Sequence, residues 1–218
     1  MAITAKQLNT TALRQEGCMD QKVTTVDLIR HGEPVGGRRY RGQTDDPLSD
    51  KGWLQMRNAV GNLCPWHSII SSPLSRCAAF AHELAQRHTL PLSFDARLQE
   101  IGFGSWEGRT ADELQHEDPG AFTRFFDDPI KHRPAGAEPL MEFRDRVIAG
   151  WDDVLARHAG ASVLLVGHAG VIRMVICHVL DLPLANMFRI QVGNASITRI
   201  SVDARGSGQL VFHDGRLE

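Results

Sequence analysis

Four short stretches of this chain carry residue types that together could hold and transfer a phosphoryl group. Arg30-His31-Gly32-Glu33 closes the run Val23-Thr24-Thr25-Val26-Asp27-Leu28-Ile29, and Ser71-Ser72-Pro73-Leu74-Ser75-Arg76 follows downstream. Leu98-Gln99-Glu100-Ile101-Gly102-Phe103-Gly104-Ser105-Trp106-Glu107-Gly108 comes third, and Val166-Gly167-His168-Ala169-Gly170 fourth. A phosphomonoester is a dianion, so its site must grip the phosphate, attack phosphorus in line and protonate the leaving oxygen. Arg30 and Arg76 offer planar, permanently charged forks that match phosphate oxygens bidentately. His31 is the natural nucleophile: neighbouring guanidinium charge favours the neutral imidazole, which has one lone-pair nitrogen for attack. His168, at a strand-to-helix junction, would donate to the equatorial oxygens, with Ala169 and the free N–H groups of a helix N-terminus beside it. Glu100 is the candidate proton donor to the leaving group, and then the base that activates water.

Other readings are weaker. Glu107, Asp112 and Glu113 lie near Glu100 in an irregular region and compete with it as carboxylates, while Glu33 reads as a loop anchor. The remaining histidines show no HExxH or Cys/His spacing, so no metal site is expected. The Gly102 to Gly108 stretch places its third glycine one residue too late for GxGxxG, Phe103 stands where GxSxG needs glycine, and no Walker A sequence occurs.

These residues need elements to bring them together. The pattern predicts strands over 23–30, 66–71, 92–94, 162–167, 195–202 and 209–213. Helical spacing recurs at Trp53, Met56, Val60 and Leu63, and at Leu74, Cys77, Ala78, Ala81, Leu84 and Ala85, the second with Ser72 as N-cap and Pro73 at the first helical position. Further helices are expected from about Pro139 to His158 and from about Ala169 to Leu180. Strands alternating with helices, and the continuous apolar run Val163-Leu164-Leu165-Val166, imply an α/β fold: a three-layer α/β/α sandwich, its sheet mainly parallel with helices on both faces. Ligands in such folds bind beyond the carboxyl ends of the strands, where His31, Ser72 and His168 all fall. Residues 1–22 read as a flexible N-terminal extension, 23–218 as one domain, and 101–137 as a lid-like excursion with one or two short helices.

Bulk properties narrow the class. A formal net charge of −2 over 218 residues, without a basic block, argues against a nucleic-acid or membrane-surface binder. Cys18, Cys64, Cys77 and Cys177 form no CxxC pair, which fits a reducing cytoplasm. No segment approaches the roughly 20 apolar residues needed to span a bilayer, and the first 22 residues contain no continuous apolar core of a signal peptide.

The motifs resemble those of the histidine phosphatase superfamily, in the branch of cofactor-dependent phosphoglycerate mutases, fructose-2,6-bisphosphatases and α-ribazole phosphatases. The likeness runs from Val23 to about Asp203: RHG on Arg30 to Gly32, SSPLxRC on Ser71 to Cys77, LxExxFGxWEG on Leu98 to Gly108, and GHxG on Gly167 to Gly170. It implies a phosphoglycerate mutase-like fold, phosphorylation of His31 on its distal nitrogen, a phosphate pocket completed by Arg30, Arg76 and His168, and the acid/base role for Glu100. Tyr40-Arg41-Gly42-Gln43-Thr44-Asp45-Asp46-Pro47-Leu48-Ser49 looks most like the α-ribazole phosphatase side, whose substrate belongs to cobalamin biosynthesis, with Arg41 and Gln43 as substrate-side contacts. Where the mutases carry an asparagine after RHGE, this chain has Gly36-Gly37, and it lacks their long insertion before the final histidine. The expectation is a phosphomonoesterase that needs no cofactor, acting on a small-molecule phosphate ester such as α-ribazole 5′-phosphate. The alternatives are a mutase or fructose-2,6-bisphosphatase-like activity, or a phosphate-binding module without turnover. A homodimer is among the oligomeric states consistent with this reading.

Overall fold

The computed structural model describes residues 23–215 and Leu217, so the extension expected over 1–22 lies outside the described residues. Six strands, β1 (Thr24–Arg30), β2 (Ser68–Ser71), β3 (Leu92–Phe94), β4 (Ser162–Gly167), β5 (Ile197–Val202) and β6 (Gly208–Gly215), form one sheet in the order β3-β2-β4-β1-β5-β6. The first four run parallel, whereas β5 lies antiparallel to β1 and β6 antiparallel to β5. Between β5 and β6 the chain is too short for a helical crossover and must reverse. Asp203 holds that turn by accepting from the Arg205 and Ser207 N–H groups, each at 2.9 Å.

Residues alternate between the faces of a strand, and this alternation builds two apolar layers. Val26, Leu28, Val163 and Leu165 pack on one side with Phe143, Val147 and Trp151 of α5 (Leu140–Arg157) and Ile172 and Val175 of α6 (Ala169–Val179). Ile29, Leu164 and Val166 face the other side, against Met56 and Val60 of α1 (Asp50–Val60) and Phe80 and Leu84 of α2 (Ser75–His88). Both faces being covered, β4 can read Val-Leu-Leu-Val without a polar position. Asp27, fully buried in β1, is neutralised across the antiparallel pair by Arg199, whose Nε and Nη2 donate at 2.7 and 2.9 Å, and it also accepts from Trp66 Nε1 at 2.8 Å. Removing one partner of such a pair typically costs about 3–5 kcal/mol.

The excursion over 101–137 holds two short helices, α3 (Ala111–Glu117) and α4 (Pro119–Asp127). Thr110 and Glu113 form a capping box for α3, and Asp118 caps α4 with Pro119 at its start. Aromatic contacts seat the excursion: Tyr40 to Phe103 and Trp106 at 5.2 and 5.3 Å between centroids, Trp106 to Phe125 at 5.0 Å, and Phe125 to Phe188 at 5.0 Å.

Candidate active site

Parallel pairing aligns the carboxyl ends of β1, β2 and β4, with Arg30 opposite Gly167 and Ser71 opposite Val166. The next residues, His31, Ser72 and His168, therefore emerge side by side, as the strand pattern predicts. His31 N–H bonds the Gly167 carbonyl at 2.9 Å and Ser72 N–H that of Val166 at 3.0 Å. The His31 and His168 rings meet edge to face, 5.3 Å between centroids.

His31 is almost fully buried, and its Nδ1 lies 2.7 Å from the Gly32 carbonyl oxygen. A carbonyl only accepts, so the proton sits on Nδ1 and Nε2 keeps the lone pair. Burial holds its pKa well below the ordinary 6.5, and the charges of Arg30 and Arg76 add to that. His168 is fully buried with Nε2 2.8 Å from Ser72 Oγ, and burial followed by the Arg76 charge likewise holds it well below 6.5. Both rings are neutral near pH 7.

The two arginines are anchored but not saturated. Arg30 donates from Nη1 to the Val192 carbonyl at 2.8 Å, and Arg76 donates from its two Nη atoms to the Thr44 and Gly42 carbonyls at 2.8 and 2.7 Å. The Nε of each is buried without a protein partner. Burial, opposed by Glu100 and reinforced by Arg173, Arg38 and Arg76, pushes the Arg30 pKa down to about 10, so it keeps its charge.

Glu100 is the carboxylate at this centre. Its oxygens accept from the N–H groups of Ile101 and Gly170, each at 3.0 Å, the second in the first turn of α6. A methyl group on Gly170 would stand 2.1 Å from Glu100 Oε1, so this glycine makes room for the carboxylate. Two of the competing acids are engaged elsewhere, Glu107 with residues 42–44 and Glu113 in its capping box, and the third, Asp112, is exposed on α3. Glu33 anchors its loop, pairing with Lys51 at 2.8 Å, as expected.

Two sequence expectations change here. Ser72 does not cap α2, which begins at Ser75. Its hydroxyl meets His168 and the Leu74 N–H, and Asp45, thirty positions away in sequence, accepts the Ser75 N–H at 2.7 Å instead. Arg41 does not present a free fork to a substrate: its three guanidinium nitrogens bond Asp46 and the carbonyls of Val35 and Gly37, which makes it a brace of its own loop. Its charge still lowers the pKa of His31. Gln43 lies on the exposed rim near Gly102, and Ala169 opens α6, so its N–H belongs to the first-turn set without an intrahelical acceptor.

The structure adds residues that the sequence reading passed over. Arg146 of α5 binds both oxygens of Glu138 and the carbonyls of Arg97, Gln99 and Glu100, fixing the segment that carries Glu100. It stands at the edge of the α5 apolar stripe, where a solvated charge is the ordinary reading. Arg173 donates to the Ile190 carbonyl at 2.8 Å and lies over Phe188, within electrostatic reach of Glu100 and Tyr40. A lone arginine in the otherwise apolar Val171-Ile172-Arg173-Met174-Val175-Ile176 was the signal.

The neutral histidines make stability depend on pH. The ordinary pKa of His31 and His168, 6.5, is lowered in the fold, so below pH 6.5 the unfolded chain binds protons that the folded chain refuses. Stability is therefore expected to fall as pH drops through and below that value, each ring contributing up to about 1.4 kcal/mol per pH unit. Urea unfolding at pH 7.5 and 5.5 checks this, with His168→Asn shallower than wild type. An identical pH slope in the variant would remove His168 from the account.

Residues 26–214 match the family described as histidine phosphatase superfamily (branch 1). Phosphoserine phosphatase 1 of Hydrogenobacter thermophilus is 32% identical over 184 residues, covering 82% of this chain and 86% of that protein. A bifunctional protein of Mycobacterium tuberculosis is 33% identical over 201 residues, 89% of this chain but 55% of its own length, so the chain spans about half of that relative. Among solved structures, the α-ribazole phosphatase of Shigella flexneri superposes with a TM-score of 0.73 at 25% identity, covering 88% of this chain and 96% of that one.

Proposed function

Since the chain belongs to the histidine phosphatase superfamily (branch 1), we propose that it is a phosphomonoesterase working through a covalent phosphohistidine at His31. One observation carries this reading: a neutral His31, its proton tied to the Gly32 carbonyl and its Nε2 free to attack, lies within the field of Arg30 and Arg76, each of which keeps a buried Nε without a partner. In the first step His31 Nε2 attacks phosphorus, the P–O ester bond breaks, and Glu100 delivers a proton to the departing oxygen. Water then attacks the phosphohistidine, Glu100 takes a proton from it, the P–N bond breaks and His31 regains its lone pair. Arg30, Arg76 and His168 hold the phosphoryl oxygens, and the arrival of that negative charge offsets the arginine charges that add to burial in keeping His168 unprotonated. Residues 101–137 cover the leaving-group side.

For the leaving group, the Tyr40 to Ser49 pattern and the structural likeness to an α-ribazole phosphatase support α-ribazole 5′-phosphate, and with it a cytoplasmic role in cobalamin biosynthesis. Arg173 favours a second reading, a phosphate ester that also bears a carboxylate. Its guanidinium reaches electrostatically to Glu100, and the phosphoserine phosphatase relative points the same way. Phosphate release from α-ribazole 5′-phosphate, phosphoserine and 3-phosphoglycerate, with chelator present throughout, separates these by kcat/KM. At least a tenfold preference for the ribazole ester is expected. A preference for the two carboxylates would transfer the assignment to the second reading, and loss of all turnover with chelator would overturn the metal-free mechanism. Stimulation by 2,3-bisphosphoglycerate would mark a mutase, and failure to trap phosphate on His31 from any ester would leave a binding module.

A further inference from the structure

Glu107, at the end of a short 3-10 turn (Gly104–Trp106), accepts five hydrogen bonds. Oε1 takes the N–H groups of Gly42, Gln43 and Phe103 at 3.1, 3.1 and 3.0 Å, while Oε2 takes the Thr44 N–H at 2.9 Å and the Thr44 hydroxyl. The same tripeptide faces the other way with its carbonyls: Gly42 and Thr44 accept the two Nη atoms of Arg76. The peptide group joining Gly42 and Gln43 thus stands in series between the two charges, its N–H donating to Glu107 and its C=O accepting from Arg76, an arrangement in which one bond strengthens the other. Gly42 has no room for a side chain, since a methyl there would lie 2.1 Å from the Ile101 carbonyl and 2.3 Å from Glu107 Oε1. Asp45, the next residue after the tripeptide, bonds the N–H of Ser75, which precedes Arg76. The loop is therefore clamped to both the turn behind it and the helix in front.

We infer that Glu107 is a positioning residue for phosphate binding, setting the Arg76 guanidinium through residues 42–44 without touching the substrate. This rests on the reading of Arg76 as a phosphate ligand. With both Nη atoms held by this loop, the direction of the unpartnered Arg76 Nε is fixed by where Glu107 places the loop. Burial disfavours the ionised form of Glu107, but the bonds from Thr44, Phe103 and Gln43 more than offset it, and its carboxyl is held below the ordinary range. Gln at this position would keep one accepting oxygen and turn an NH2 group toward backbone donors that need an acceptor.

The test is a double-mutant cycle over wild type, Glu107→Gln, Arg76→Ala and the pair, read as the inhibition constant of inorganic phosphate against an aryl phosphate, with thermal melts alongside. Glu107→Gln is expected to weaken phosphate by about tenfold to a hundredfold, as small misplacements at such sites do. In the Arg76→Ala background it should add less than about twofold, because the two act through one contact. Equal losses in both backgrounds, or unchanged phosphate binding in Glu107→Gln, would overturn the inference while leaving Arg76 as a ligand. If Arg76→Ala itself binds phosphate normally, the reading of the site fails, and with it the route from Glu107. Should Glu107→Gln not fold, Thr44→Val removes only the hydroxyl donor and runs through the same cycle, with a smaller loss that again vanishes without Arg76.

Discussion

His31→Ala is expected to lose at least about 10⁴-fold in kcat/KM on every substrate, good leaving groups included, because removing a nucleophile deletes the covalent route itself. Rapid quench with a phosphorus-labelled ester should trap acid-labile, base-stable phosphate on the wild type and none on the variant. His31 is almost fully buried against Gly32 and the Arg30 and Arg76 charges, and alanine relieves rather than adds buried polarity, so the melting temperature should change far less than the rate. Phosphate affinity should persist, since Arg30, Arg76 and His168 remain. A variant that kept a tenth of the wild-type rate, or still carried label, would move the nucleophile elsewhere.

Glu100→Gln should produce the second largest effect, and its dependence on the leaving group matters more than its size. Alkyl esters, which need a proton on the departing oxygen, are expected to slow by about 10²- to 10⁴-fold, whereas an aryl ester with an acidic phenol should lose much less in its first step. Glu100 also has to deprotonate water in the second step, so aryl ester should show a burst of about one phenol per enzyme followed by slow turnover. The amide loses one of the two carboxylate acceptors that serve Ile101 and Gly170, and a modest fall in stability should accompany the kinetic change. Equal losses on aryl and alkyl esters would count against Glu100 as the acid and return attention to the other carboxylates of the 100–113 region.

The α/β architecture, the placement of all six strands, and the sharing of one sheet edge by His31, Ser72 and His168 could be derived from the chain alone. Periods of two and 3.6 residues are local, and a parallel strand buried on both faces has to be apolar throughout, as Val163 to Val166 are. Ligand positions followed because strand ends in such sheets are where helices leave and backbone donors point outward. The roles of Asp45, Glu107, Arg146 and Arg41 were decided only by tertiary structure. Each bonds backbone or side-chain groups whose positions depend on how the loops close, and a charged residue in a loop or at the edge of a helix stripe looks the same in sequence whether it meets water, substrate or a distant carbonyl. Ser72 lies three residues ahead of the first residue of α2 and its hydroxyl meets His168, nearly a hundred positions along the chain, while Asp45 accepts the first N–H of the helix. Gly170 makes the same point from the other side: the sequence shows only a glycine in the GHxG pattern, and the fold shows that its space belongs to the Glu100 carboxylate.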